Sequence, residues 1–271
     1  MKKKKILRIV LTTFIILLLV LCVAIKVIIK KDTEKKLEAP GNAELYSLEN
    51  TEVNENSPLQ GKRVLFLGSS VTVGMAAQNV SFADYLAKQD GVIADKEAYS
   101  STTLVDEFNP IAQLITGNGN SYVTRLNNVD TNIAYDAVVV QLSTNDATGK
   151  KTLGEISTSD DIEDYDVKTV TGAMEYIISY VYNTWNCPVI FYTGTYYESD
   201  EYAAMVDRLL ELQNKWGITV VNLYTDVEFN DIDENTYALY MYDDIHPTKA
   251  GYREWWLPKI EKGLLEALNL N

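Results

Sequence analysis

The chain has a single histidine. His246 stands three residues after Asp243 in Asp243-Asp244-Ile245-His246-Pro247, just ahead of a helix start signalled by Pro247-Thr248. Free imidazole titrates near ~6.5 and can take up and return a proton at neutral pH. A carboxylate three residues away in a loop can reach one ring nitrogen and fix which of the two carries the proton. A hydroxyl is a poor nucleophile until such a base removes its proton. A lone histidine is also commonly a surface or core residue, so the chemistry depends on a hydroxyl reaching the same place.

Two turns offer hydroxyls and amides. Gly68-Ser69-Ser70-Val71-Thr72-Val73-Gly74 follows an apolar run at 63–67, and Ser143-Thr144-Asn145-Asp146 follows another at 134–142. Taken singly, each also reads as an ordinary polar turn capping a helix. The first does not complete a glycine-rich phosphate loop, since the required glycines and lysine are missing.

The runs at 63–67, 134–142, 188–192 and 218–222 predict buried strands, with a weaker fifth around 92–98. Between them, Ala173, Met174, Ile177, Ile178, Val181, Tyr182 and Trp185 recur at helical spacing, as do Tyr202, Met205, Val206, Leu209, Leu210 and Leu212. A closing helix carries Tyr252, Trp255, Trp256, Ile260, Leu264 and Leu265 on a broad apolar face. Strands alternating with helices imply a parallel sheet covered on both faces, whose sites lie beyond the carboxyl ends of the strands.

In combination these residues resemble the SGNH (GDSL-like) hydrolases. The resemblance rests on Ser70 in Gly-Ser-Ser after the first strand, Ser101-Thr-Thr-Leu104, Asn145 in Ser-Thr-Asn-Asp, and the Asp243-x-x-His246 pair, and it covers roughly 61–268. It implies a three-layer α/β/α sandwich with a five-stranded parallel sheet, and ester hydrolysis through a Ser-His-Asp triad. By position it makes Ser70 the nucleophile, His246 the general base and then acid, and Asp243 the orienting carboxylate. The oxyanion hole would comprise the backbone N–H groups of Ser70 and Ser101 and the side-chain amide of Asn145. The chain departs from the family pattern three times: Gly-Asp-Ser is Gly-Ser-Ser, and serines stand for glycines at Ser101 and Ser143. Main-chain donors survive such a change, but Ser101 would need a backbone conformation that glycine reaches more cheaply.

Composition limits the partners. Ten of the 24 basic residues lie before position 37, which leaves 37–271 with a net charge of −22. No basic stripe exists to neutralise phosphates, so nucleic acid is not an expected partner. Cys22 lies in the apolar N-terminal run and Cys187 beside Pro188, so neither a disulfide-stapled fold nor a cysteine zinc site is expected. Asp226 to Asp233 looks superficially like a calcium loop but has no glycine at its sixth position and has Tyr237 where a bidentate Glu should stand. The acidic cluster at Asp160, Asp161, Glu163, Asp164 and Asp166 reads as solvated, and no metal or cofactor is expected. The Gly-x-Ser-x-Gly elbow of α/β-hydrolases is absent. Tyr192, Tyr196, Tyr197, Tyr240 and Tyr242 fall near strand ends, where they either pack or stack on sugar rings.

Lys2 to Lys5 and Arg8 precede a predominantly apolar stretch at 9–29 whose one charge is Lys26. As a helix it would measure about 31 Å at roughly 1.5 Å per residue, close to the hydrocarbon thickness of a bilayer. A cleaved signal peptide is the rival reading, but the apolar run continues beyond the small residues near Ala24. The expected organisation is a tail and single-pass membrane anchor at 1–31, a flexible polar tether at 32–60 and a hydrolase domain at 61–271 held outside the cytoplasm. The expected activity is removal of small acyl groups such as acetyl from cell-wall or extracellular carbohydrate. The alternatives are an O-acyltransferase or a lipid esterase using the same triad, although no long apolar lid is evident, or a catalytically silent surface module that binds glycans or a protein.

Overall fold

Side chains alternate between the two faces of a strand, and in the central strands of this chain both sets are apolar. The computed structural model describes residues 13, 14, 20, 27 and 30–270. Its strands are β1 (Arg63–Gly68), β2 (Ile93–Ala98), β3 (Ala137–Gln141), β4 (Val189–Tyr192) and β5 (Thr219–Val221). They form one sheet in the order β2-β1-β3-β4-β5, and every neighbouring pair is parallel. The expected five-stranded parallel sheet is therefore present, with the runs at 134–142 and 218–222 trimmed at both ends.

The helices are α1 (30–38), α2 (Ser70–Val73), α3 (Phe82–Asp90), α4 (Pro110–Thr116), α5 (Tyr122–Leu126), α6 (Thr144–Thr148), α7 (Val170–Trp185), α8 (Asp200–Trp216), α9 (Val227–Asn230), α10 (Glu234–Tyr240) and α11 (Leu257–Ala267). Leu65, Leu67, Val138, Val140, Val189 and Phe191 face α7 and α8 and build one core. Val64, Phe66, Val139, Ile190 and Tyr192 face α3 and α11 and build the other. These two cores make the three-layer α/β/α sandwich. A π-helical turn at Gly251–Trp256 precedes α11 and puts both Trp255 and Trp256 inside, which explains the width of the closing helix's apolar face.

The sheet grows outward in both directions from β1, so connections leave β1 and β3 on opposite faces and open a crevice at their carboxyl ends. Ser70 follows β1 and Asn145 follows β3.

The expected membrane span at 9–29 lies outside the described residues apart from four positions. Among the described residues no helix is long and apolar enough to cross a membrane. The segment 32–60, expected from its composition to be a flexible tether, is instead laid on the body. Three successive 3-10 turns, Pro40–Asn42, Glu44–Tyr46 and Leu48–Asn50, run along it. Leu59 is fully buried, and Asn42 nearly so. Asn42 Nδ2 donates to the carbonyls of Ala76 at 2.7 Å and Lys36 at 2.8 Å, while its Oδ1 accepts the backbone N–H of Lys249 at 2.9 Å. A Cβ on Gly41 would lie 1.9 Å from the Leu239 carbonyl oxygen, so only glycine permits this approach. The partners are distant in sequence, which is why local composition does not reveal them.

Candidate active site

Ser70 is the first residue of α2, a single helical turn launched directly from the end of β1. Its N–H is therefore one of the first-turn donors that no helical carbonyl can reach. Gly74 ends the turn at φ +82°, and a Cβ there would meet the Val80 carbonyl at 2.1 Å. Glycine thus allows the chain to turn back sharply behind the serine.

His246 reaches the same place from 176 residues away, with Nε2 2.8 Å from Ser70 Oγ. Its Nδ1 lies 2.9 Å from each carboxylate oxygen of Asp243. An ionised carboxylate only accepts, so Nδ1 carries the proton in the neutral ring, and Nε2 is left to accept from the serine hydroxyl. Asp243 Oδ1 also accepts the backbone N–H groups of Ile245 and His246, at 2.9 and 2.8 Å. Burial pushes the Asp243 carboxyl up, but the hydrogen bonds and charge of His246 together with those two N–H groups outweigh it and hold it below its ordinary value. The loop is closed by an isolated antiparallel bridge between Met241 and Pro247 and by Tyr242 N–H donating to the His246 carbonyl at 2.9 Å.

The other expected residues come from the ends of β2 and β3. Ser101 has φ +66°, the left-handed conformation for which glycine is the cheap residue. Its carbonyl accepts from Asn109 Nδ2 at 2.8 Å. Asn145, in the first turn of α6, donates one amide hydrogen to the Thr102 carbonyl at 2.8 Å and keeps the second. Ser143, at the other departure, has φ −76°, which any residue adopts, and its Oγ accepts the N–H of Asp146 at 3.3 Å as the cap of α6. Only the Ser101 position thus bears a conformational cost.

Three buried polar residues that the sequence did not single out hold these loops together. Gln141, the last residue of β3, accepts at Oε1 from Ser69 N–H at 2.9 Å and Thr72 Oγ1 at 2.9 Å. It therefore clamps both sides of Ser70. Asp146 accepts the N–H groups of Leu104 at 2.8 Å and Val105 at 3.1 Å, tying α6 to the loop after β2. Burial pushes its carboxyl up to about 6, against those hydrogen bonds. Arg125 is almost fully buried, donating to the carbonyls of Gly68 at 2.8 Å, Asn120 at 3.2 Å and Glu97. It rests 5.4 Å from the Tyr99 ring and 5.1 Å from the Tyr122 ring. A buried polar side chain following a run of valines was the one available signal for Gln141, since such a group must find partners.

Of the tyrosines near strand ends, Tyr192 is fully buried with its hydroxyl 2.6 Å from Thr72 Oγ1, so it packs. Tyr196 is exposed and, with Tyr224, Asp226, Val227 and Asn230, lines a cavity of about 670 Å³ beyond the carboxyl end of β5. Among the described residues no cluster of three or more His, Cys, Asp or Glu is arranged to hold a metal ion. Cys187 is a buried free thiol.

A hydroxyl, an imidazole and a carboxylate in line, beside a helix N-terminus and a free amide, can generate an alkoxide-like nucleophile and stabilise a negative oxygen. The family model described as GDSL-like Lipase/Acylhydrolase matches residues 66–254. Comparison with curated proteins gives no match. Among solved structures, a protein from Lactobacillus plantarum is 21% identical with a TM-score of 0.59, covering 78% of this chain and 98% of that one. A family two carbohydrate esterase from Clostridium thermocellum, solved in complex with cellohexaose, is 18% identical with a TM-score of 0.52, covering 78% of this chain and 66% of that one. With most of its body matched by one family model and the sheet and crevice in place, the chain belongs to the GDSL-like lipase/acylhydrolase family and is an SGNH-type hydrolase acting on ester bonds.

Proposed function

We propose that this chain is a membrane-anchored serine esterase, held outside the cytoplasm, that removes small acyl groups such as acetyl from cell-wall or extracellular carbohydrate. The observation that carries the catalytic part is the unbroken relay from Ser70 Oγ through both ring nitrogens of His246 to Asp243. Ser70 attacks the ester carbonyl carbon while His246 Nε2 takes its proton. The oxygen that becomes negative is met by the Ser70 and Ser101 N–H groups and the second amide hydrogen of Asn145. Asp243 stabilises the imidazolium that forms. His246 then gives its proton to the departing alkoxide, releasing the alcohol. Water, deprotonated by His246, attacks the acyl-serine, and the acid leaves as Ser70 is restored.

The carbohydrate assignment is supported by the likeness to a carbohydrate esterase and by a body too acidic to favour polyanionic substrates. The anchor is supported by the apolar stretch at 9–29 and its lysine flanks. The test is hydrolysis of p-nitrophenyl acetate and of acetylated cello-oligosaccharides by the full chain, alongside fluorophosphonate labelling of wild type and Ser70→Ala. Turnover and labelling that both disappear in the variant support the assignment. A wild type that neither labels nor turns over either ester overturns it.

A further inference from the structure

The body is acidic, yet one of its exposed segments carries no charge: no Asp, Glu, Lys, Arg or His lies between Glu107 and Arg125. The structure makes this stretch a closed projecting loop. Asn109 and Gly119 are joined by an N–H to carbonyl bond of 2.8 Å, and α4 forms the tip between them. Its apolar side chains are turned outward: Phe108 is 58% exposed, Ile111 63%, Leu114 85% and Ile115 67%. Scattered exposed apolar residues are ordinary, but four on one short uncharged loop form a patch of the kind that contacts a partner.

The tip has a defined place relative to the chemistry. Asn109 Oδ1 caps α4 by accepting from Ile111 and Ala112, and its Nδ2 donates to the Ser101 carbonyl, so the tip is attached to the loop at the rim of the site. The continuously described chain begins in α1, beside another loop of the site. The apolar stretch ends at Ile29, and in α1 Asp32 Oδ1 accepts from the Tyr242 hydroxyl at 3.0 Å, next to Asp243. Lys30, where the continuously described chain begins, is two residues from Asp32, so that beginning is close to the loop that carries Asp243 and His246. Lys30, Lys31 and Lys35 are exposed there, as headgroups of anionic lipid would favour, while Lys36 is paired with Asp32.

We infer that the apolar tip formed by Phe108, Ile111, Leu114 and Ile115 docks on the bilayer surface, so that the chain meets the membrane on both sides of its active site. The inference rests on the proposed anchoring by residues 9–29. It follows that the ester is taken from the membrane surface side, and that the missing charge of the loop lets an acidic body approach anionic lipid.

The test uses the full chain in vesicles of phosphatidylcholine and phosphatidylglycerol, with Cys22→Ser to leave only the buried Cys187. An environment-sensitive fluorophore is placed at Leu114→Cys or, as control, at Asn214→Cys, an exposed site in the last turn of α8 at the amino end of the sheet. With nitroxide lipids, the label at position 114 should blue-shift and lose at least about half its emission, and the label at 214 should be unchanged. Equal behaviour of the two labels overturns the docking. A blue shift at 114 without lipid quenching assigns the patch to a protein contact and also overturns it. Chains that carbonate washing strips from the vesicles overturn the anchor, and the docking with it.

Discussion

The side-chain oxygen of Asn42 accepts the backbone N–H of Lys249, three residues beyond His246, while its amide donates to the Ala76 carbonyl behind the Ser70 turn. One buried residue outside the matched family region therefore ties the serine-bearing and histidine-bearing loops together. Asn42→Ala leaves a buried N–H and carbonyl without partners, each costing about 1–3 kcal/mol. Expected outcomes are a urea midpoint lowered by that order and a kcat reduced about tenfold with KM little changed. An unaltered kcat beside a lowered midpoint would show that Asn42 supports the fold but does not position the triad.

Substitutions in the relay should separate by role. Ser70→Ala should lower kcat by at least about 10⁴-fold, and Asp243→Asn by about 10³- to 10⁴-fold through the wrong tautomer of His246. Steady-state kinetics on p-nitrophenyl acetate measures both. An Asp243→Asn enzyme within about threefold of wild type would mean that the carboxylate does not set the tautomer.

Ser101 sits in the left-handed region at φ +66°. That conformation costs an L-residue about 1–2 kcal/mol, whereas glycine loses about 0.5–1 kcal/mol more chain entropy on folding. The first effect wins, so Ser101→Gly should raise stability by about 0.5–1 kcal/mol without lowering kcat. Thermal unfolding checks the sign, and a loss of stability would assign the serine side chain a compensating contact.

Asp146 gives a pH signature. Its folded pKa is raised to about 6 from an ordinary 3.8, so the folded state holds the proton more tightly than the unfolded state between those values. Folded stability from this group is present below about pH 4 and is lost as pH rises towards 6, by on the order of 2 kcal/mol. Asp146→Asn cannot titrate, so the stability difference between wild type and variant should fall across that window. A difference that stays constant from pH 4 to 7 would refute the burial argument.

Much of this was legible in the sequence, and the reasons are physical. Buried parallel strands are continuous apolar runs, so β1, β3 and β4 were visible, while β2, with Asp95, Lys96 and Glu97 on a sheet edge, was faint. The pairing of His246 with Asp243 was visible because a single histidine stands three residues from a carboxylate. Gln141, Arg125 and Asn42 were not, because their meaning lies in backbone groups far along the chain. Pro40-Gly41-Asn42 has the composition of a turn, and only the fold shows that it wedges between Ala76 and Lys249.

The contact between Ser70 and His246 joins positions 176 residues apart. Closing so long a segment is slow and comes after local structure has formed, and a chain emerging from the ribosome presents Ser70 well before His246. The proposed nucleophile is therefore dormant until that later segment has been made. Under the proposed mechanism a growing chain cannot attack esters until His246 has been delivered and docked against Ser70, so the onset of turnover should serve as a clock for assembly of the site.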